Sequence, residues 1–154
     1  MQSFRVIKPT AALVPYVRHY WVLSDDALAP VSERTLPVGC VQMVFHRGHQ
    51  LFSLTEGRLQ PSSFISGQAF GYSDVESTGM LEMIVVVFQP FAAKAFLHMP
   101  VSEFRGMNVN TEETGDPLLV DLGRRIADMP DRVACIRLIE EFLLSRLYAF
   151  PEYT

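Results

Sequence analysis

Four histidines and two cysteines are the side chains of this 154-residue chain with the plainest capacity for chemistry. His46-Arg-Gly-His49 sets two imidazoles on either side of a short turn, where they could chelate a Zn ion. No carboxylate-rich segment follows at a spacing that would complete a ligand set, so polar turn residues are the simpler reading. His19 and His98 have no local partner and read as structural or exposed. Cys40 and Cys135 lie far apart without a CxxC, which argues against a metal knuckle or disulfide framework and for buried thiols. A Cys40–His46 nucleophilic pair would need the base within hydrogen-bond reach, yet six residues of extended strand span about 20 Å. Gly57, Gly67, Gly71 and Gly79 match no phosphate-loop pattern and read as turn or bulge glycines. The expectation is therefore no catalytic residue, no metal site and no cofactor.

The aromatic residues carry the better functional candidate. Trp21, Phe45 and Phe88 fall in stretches that read as strands, and Met43 and Val86 share those faces by alternation. A partly hollow sheet lined by these five, with Arg34 as a polar anchor, would accept a small apolar or aromatic molecule. The alternative is plain core, in which case the interior is filled.

These residues depend on one stretch, Met80-Leu-Glu-Met-Ile-Val-Val-Val-Phe-Gln-Pro90. Its three consecutive valines favour a strand, and from Met83 to Phe88 it does not alternate, so both faces should be covered. It is predicted to be the central strand, with β structure before it and helices after it. The earlier strands are Phe4–Ile7, Tyr16–Leu23, Val41–His46, Gln50–Thr55, Phe64–Ser66 and Phe70–Val75. Thr10 could cap a single turn over Ala11–Val14. In Tyr16–Leu23, alternation puts Tyr16, Arg18, Tyr20 and Val22 on one face and Val17, His19, Trp21 and Leu23 on the other. Gln42, Val44 and His46 oppose Val41, Met43 and Phe45. Arg47-Gly48 is predicted to turn Val41–His46 into a hairpin with Gln50–Thr55. Short strands broken by regular turn signals suggest an antiparallel sandwich or barrel.

After Phe88 the period becomes helical. Pro90 opens a helix over Phe91–Met99, Ser102-Glu-Phe104 adds a turn, and Asn108–Gly115 is a loop. Asp116-Pro117 starts a helix through Met129, with Leu118, Leu122, Ile126 and Met129 on one side and an Asp121–Arg125 pair. Asp131 caps a last helix from Arg132 to about Tyr148. Its polar stripe (Arg137, Glu140, Glu141, Ser145) is narrow, so its apolar face should exceed what one neighbour covers. Ile136, Ile139, Leu143 and Leu147 are the residues expected to meet a second copy of the chain. The fold class is thus α+β: an antiparallel β-sandwich or barrel over 1–89, then three to four helices over 90–150. Residues 151–154 read as the start of a linker.

Composition narrows the function. The net charge is −4, with no segment rich in Lys or Arg, so the chain alone is a poor match for duplex nucleic acid. Hydrophobic residues make up 49%, which supports a folded core rather than disorder. No run is long enough to span a bilayer and no export signal is visible, so a cytoplasmic location and no membrane partner are expected.

Several spaced residues resemble the N-terminal domain of a cupin-like subclass of AraC-type transcriptional regulators. They are Pro9 with Leu13 and Val17, Tyr20-Trp21, Leu36-Pro-Val-Gly39, Phe45, Gly67 and Val86-Val-Phe-Gln-Pro90. Phe96-Leu97, Pro100, Glu103-Phe104 and the leucine-rich helical pair extend the resemblance over nearly the whole chain. Val38 departs from it, because that subclass usually has an acidic or amide residue between proline and glycine. The resemblance implies a cupin-like β-sandwich followed by helices, acting as a sensor of a small-molecule effector and as a homodimerisation module. DNA would be read only through a C-terminal helix-turn-helix domain absent from this sequence. The alternatives are a stand-alone cupin-like ligand-binding protein and a cupin-type metalloenzyme.

Overall fold

Leu81–Phe88 is the strand that its composition predicts, and it is buried on both faces from Ile84 onward. The computed structural model describes residues 2–25, 32–35, 41–54, 56–67, 73–90, 92–97 and 108–149, with the side chains of 2, 32–35, 73, 74, 148 and 149 left aside. Cys40, the Leu36–Gly39 turn with Val38, Gly71, Phe91, His98, the Ser102–Phe104 turn and the linker-like end lie outside the described residues.

In chain order the strands are β1 (Gln2–Ile7), β2 (Val17–Asp25), β3 (Ser32–Thr35), β4 (Gln42–His46) and β5 (Phe52–Ser53). They continue with β6 (Arg58–Leu59), β7 (Ser63–Ser66), β8 (Ser73–Glu76), β9 (Leu81–Phe88) and β10 (Asn108–Asn110). Helices α1 (Pro117–Asp128) and α2 (Arg132–Ala149) follow. The strands make two antiparallel sheets, six strands in the order β1-β2-β9-β4-β7-β10 and four in the order β3-β8-β5-β6.

Three local expectations change. The Val41–His46 strand does not form a hairpin with the segment after it. β4 pairs with β7 and β9, whereas β5 pairs with β6 and β8 in the other sheet. Arg47 and Gly48 do not close a tight turn, because their N–H groups donate to Glu82 O and carry the chain out of the first sheet. In β2 the register shifts between Val17, opposite Phe88, and His19, opposite Val87. The shift leaves Arg18 over as a bulge residue and brings Val17 into the core that holds Tyr20 and Val22. Asn108–Asn110, expected as loop, is a short strand on β7; three polar-flanked residues carry too little alternation to announce a strand.

The helix count is also lower. Two α-helices are present among the described residues, not three to four. The stretch after Pro90 makes a 3-10 turn, Ala93–Ala95, rather than a helix. The Ala11–Leu13 turn forms as expected, but Thr10 makes no side-chain cap. α1 starts as predicted, with Pro117 at its head and Asp116 Oδ1 accepting from Leu119 N–H (3.4 Å). Its buried side is Leu119, Leu122, Gly123 and Ile126; Leu118 points to solvent. Asp121 and Arg125 pair at 3.9 Å, and Asp131 Oδ1 takes the Val133 N–H at the start of α2.

Both helices pack on one face of the six-stranded sheet. Tyr20, Met43, Phe45, Ile84, Val86 and Phe88 meet Leu119, Ile126, Ile139 and Leu143 in the main core. Polar ties hold the layers together. Glu140 on α2 accepts from the Tyr20 hydroxyl (3.1 Å) and the Thr10 N–H (2.9 Å), and burial followed by the Glu140 charge pushes the Tyr20 phenol pKa upward. Arg47 binds Glu82, the Met129 carbonyl and, at 3.3 Å, the Ile126 carbonyl, so a cation caps the carbonyl end of α1. Glu82 also accepts from Arg132 at 3.0 Å. Arg146 and Asp116 form a buried ion pair (2.6 Å) that joins the last turn of α2 to the first turn of α1. The Cys135 thiol is buried, and burial is the main cause that raises its pKa.

Candidate ligand-binding face

Which residues share the two faces of the six-stranded sheet follows from its register. On the helix side stand Met43, Phe45, Val86 and Phe88, four of the side chains expected to line a pocket. They are brought together, but the space in front of them is filled by helix side chains and by Phe96, which stacks on Phe88 (5.6 Å between ring centroids). Trp21 is not with them. It faces the other way, opposite Val85, and packs against a second cluster of Val44, Phe64, Val85 and Val87. Arg34 lies in the other sheet, opposite Asp74, and its side chain is outside the description.

The helix residues expected to pair two chains are divided as well. Ile139 and Leu143 are 0% exposed inside the single chain, so neither can meet a second copy. Ile136 and Leu147 are partly buried against the same core. One chain covers most of α2 by wrapping it between the sheet, the Ala11–Leu13 turn and α1, so the wide apolar face is an internal one.

The face away from the helices has a different character. One cross-strand row holds His19, Val87, Gln42 and Ser66, and the next holds Val6, Trp21, Val85, Val44 and Phe64. A third holds Phe4, Leu23, Met83 and His46. The middle of this face is buried, while Phe4 and Val6 on the edge strand are each 54% exposed. The face therefore grades from a closed centre to an open margin at β1 and β2.

Two imidazoles on this face are unusual. His19 stacks on Trp21, with ring centroids 5.2 Å apart and planes 26° from parallel. Its Nε2 is sealed from solvent and has no hydrogen-bond partner among the described residues. His46 is buried, its Nε2 lies 2.9 Å from Gln60 Oε1, and its Nδ1 is sealed and without a partner among the described residues. Burial lowers both pKa values; Arg18 adds to the effect at His19, and the Gln60 bond partly offsets it at His46. Both rings are thus kept neutral near pH 7. A neutral imidazole offers one donor and one acceptor, so each sealed nitrogen is an unmet hydrogen-bonding group. Leaving such a group unpaired costs about 1–3 kcal/mol. His19, Trp21 and His46 were legible as strand residues, and alternation had already grouped His19 with Trp21. Gln60 was missed, since nothing in the sequence ties it to His46.

Among the described residues, no three His, Cys, Asp or Glu side chains come together as a metal-binding group. His46 and His49 do not converge: His46 turns into the sheet, and His49 lies where a Cβ on Gly79 would touch its ring. Among the described residues no helix is long and apolar enough to cross a membrane.

Among the described residues the architecture is an antiparallel, sheet-rich region followed by two helices, an α+β domain with an aromatic sheet face left free of the helices. The chain belongs to the family described as a domain of unknown function (DUF6597), whose pattern matches residues 5–110. That match takes in the sheets and stops before α1. No curated protein matches the chain. Five solved chains do, among them one described as the crystal structure of CoII HppE in complex with Tris buffer. It is 10% identical, with a TM-score of 0.42, over 56% of this chain and 53% of that one, so the match spans about half of that protein.

Proposed function

We propose that this is the sensor domain of an AraC-type transcriptional regulator, with a cupin-like β-sandwich that binds a small-molecule effector on the sheet face away from the helices. The carrying observation is the sealed His19 imidazole nitrogen, without a partner among the described residues and set on an aromatic face beside Trp21, which a ligand would satisfy. The strand order supports the sandwich. With β1 and β10 as additions, β2-β9-β4-β7 and β3-β8-β5-β6 follow the order of a double-sheet jelly roll, the architecture of cupins. The helices support a regulatory role. Arg47 follows the last residue of β4 and grips the end of α1, so a shift of β4 beneath the ligand face would carry to the α1–α2 corner. DNA contact belongs to a helix-turn-helix segment beyond this chain, in keeping with its net charge of −4. Pairing of two chains stays part of this reading, through surfaces other than Ile139 and Leu143.

The test is made on the full-length natural protein. Its DNA affinity, measured by fluorescence anisotropy on its own promoter region, should change on adding an effector drawn from a small-molecule screen. Trp21→Ala should remove the response while leaving DNA binding in place. A full-length protein without a helix-turn-helix segment, or one whose effector response survives Trp21→Ala, would overturn the proposal.

A further inference from the structure

We infer that the ligand of this face is an uncharged aromatic molecule bearing a hydroxyl group, seated at the open margin on Trp21 beside Phe4 and Val6, with its hydroxyl on His19 Nε2. The inference rests on the sensor reading above and adds the ligand's chemistry. Three observations carry it. The first is charge: the three rows through His19, Trp21 and Leu23 contain no Asp, Glu, Lys or Arg among the described residues. A carboxylate, phosphate or ammonium seated there would lose its hydration without gaining a counter-charge, a cost far larger than one hydrogen bond returns. Arg18, whose charge adds to the lowering of the His19 pKa, is exposed at the bulge.

The second is shape. Val85 and Val44 are closed over, at 3% and 4% exposed, so the accessible apolar surface is the margin where Val6 lies opposite Trp21 and Phe4 packs on its ring. Neighbouring strands lie about 4.8 Å apart, so the margin across β1 and β2 suits a single ring. The open margin at Phe4 and Val6 offers a way in from solvent. The third is the hydrogen bond. His19 Nε2 is sealed and unmet, one row from Trp21 on the same strand. A hydroxyl can donate or accept, so it satisfies this nitrogen in either tautomer. Gln42, in the same row as His19, offers an amide for a second polar group on the ligand. His46 stands two strands and two rows away, roughly 16 Å by strand geometry, and is out of reach of the same small molecule.

Four probes of one size test the claim: 4-methylphenol, toluene, 4-methylbenzoate and 4-methylbenzylammonium. Binding is read from the imidazole signals of His19 in long-range 1H–15N spectra and from emission of Trp21, the only tryptophan. 4-Methylphenol should move both signals and bind about fivefold more tightly than toluene, the ratio expected of one net hydrogen bond. Both ions should bind at least tenfold more weakly than 4-methylphenol. His19→Phe should abolish the preference for the phenol over toluene while keeping toluene binding, which also shows that the variant is folded. An ion binding as well as the phenol, or toluene matching the phenol, would overturn the ligand class and leave the face standing as a binding site. No probe moving His19 or Trp21 would overturn both the class and the site.

Discussion

Separating Arg146 from Asp116 tests how this domain holds its two helices together. The guanidinium and carboxylate meet at 2.6 Å, with side chains only 3% and 8% exposed. Arg146 also donates to the Phe96 carbonyl (3.4 Å) and lies 4.8 Å over the Phe142 ring. Asp116 Oδ1 caps α1 as well. Removing one member of a buried pair leaves the other charge in a poorly solvated place, at a cost of about 3–5 kcal/mol. Asp116→Asn keeps an oxygen for the helix cap, so its loss should sit at the low end, about 3 kcal/mol. Arg146→Met forfeits the carbonyl bond and the ring contact too, and should cost about 4–5 kcal/mol. The double variant contains neither charge, so the two losses should fall short of additivity by about 2–3 kcal/mol. Urea unfolding followed by far-UV circular dichroism gives all four free energies. Additivity to within about 0.5 kcal/mol would refute the coupling. Should a single variant fail to fold while the double variant folds, the coupling stands; should the double variant fail as well while either single one folds, it falls.

Four further outcomes follow from the same contacts. The folded pKa of His46 and of His19 lies below the usual 6.5, so the unfolded chain takes up their protons first as pH falls. Their contribution to stability is therefore complete above pH 6.5 and declines below it, by at most about 1.4 kcal/mol per pH unit for each group; melting curves of His46→Gln between pH 7.5 and 5.5 should be flatter than those of the natural chain. Trp21 emission should drop as His19 becomes an imidazolium, with a midpoint below 6.5, and His19→Phe should remove that pH dependence. A Cβ on Gly123 would lie 2.5 Å from Ser63 Oγ, so Gly123→Ala should cost about 1–3 kcal/mol, and clearly less in a Ser63→Ala background by the same unfolding assay. Arg47→Met should cost about 2–3 kcal/mol by loss of its charged hydrogen bonds, and raise amide exchange at the α1–α2 corner before it does so in β9.

Part of this domain was readable without coordinates, and for local reasons. Three valines in succession make Val85–Val87 a strand in any setting, and their lack of alternation requires cover on both sides. Asp116-Pro117 and Asp131 mark helix starts because capping involves only neighbours in sequence. Alternation also sorted Met43 and Phe45 from Val44 and His46, and His19 and Trp21 from Tyr20 and Val22, since side chains on a strand point to opposite faces whatever lies beyond.

What alternation cannot say is which face receives the helices, and the candidate site turned on that choice. Both faces of β2, β4 and β9 are apolar, so Met43, Phe45, Val86 and Phe88 looked as fit for a pocket as Trp21 did. Packing α1 and α2 on one face made those four into core and left His19, Trp21 and His46 on the other. The bulge at Arg18, the β4–β7 pairing and the His46–Gln60 contact depend on residues distant in sequence. The same holds for α2: Ile139 and Leu143 read as a surface for a second chain because sequence does not show how far β2, the Ala11–Leu13 turn and α1 enclose one helix. Local order was set by neighbours along the chain, whereas the identity of the binding face was decided by which surface the long-range contacts left uncovered.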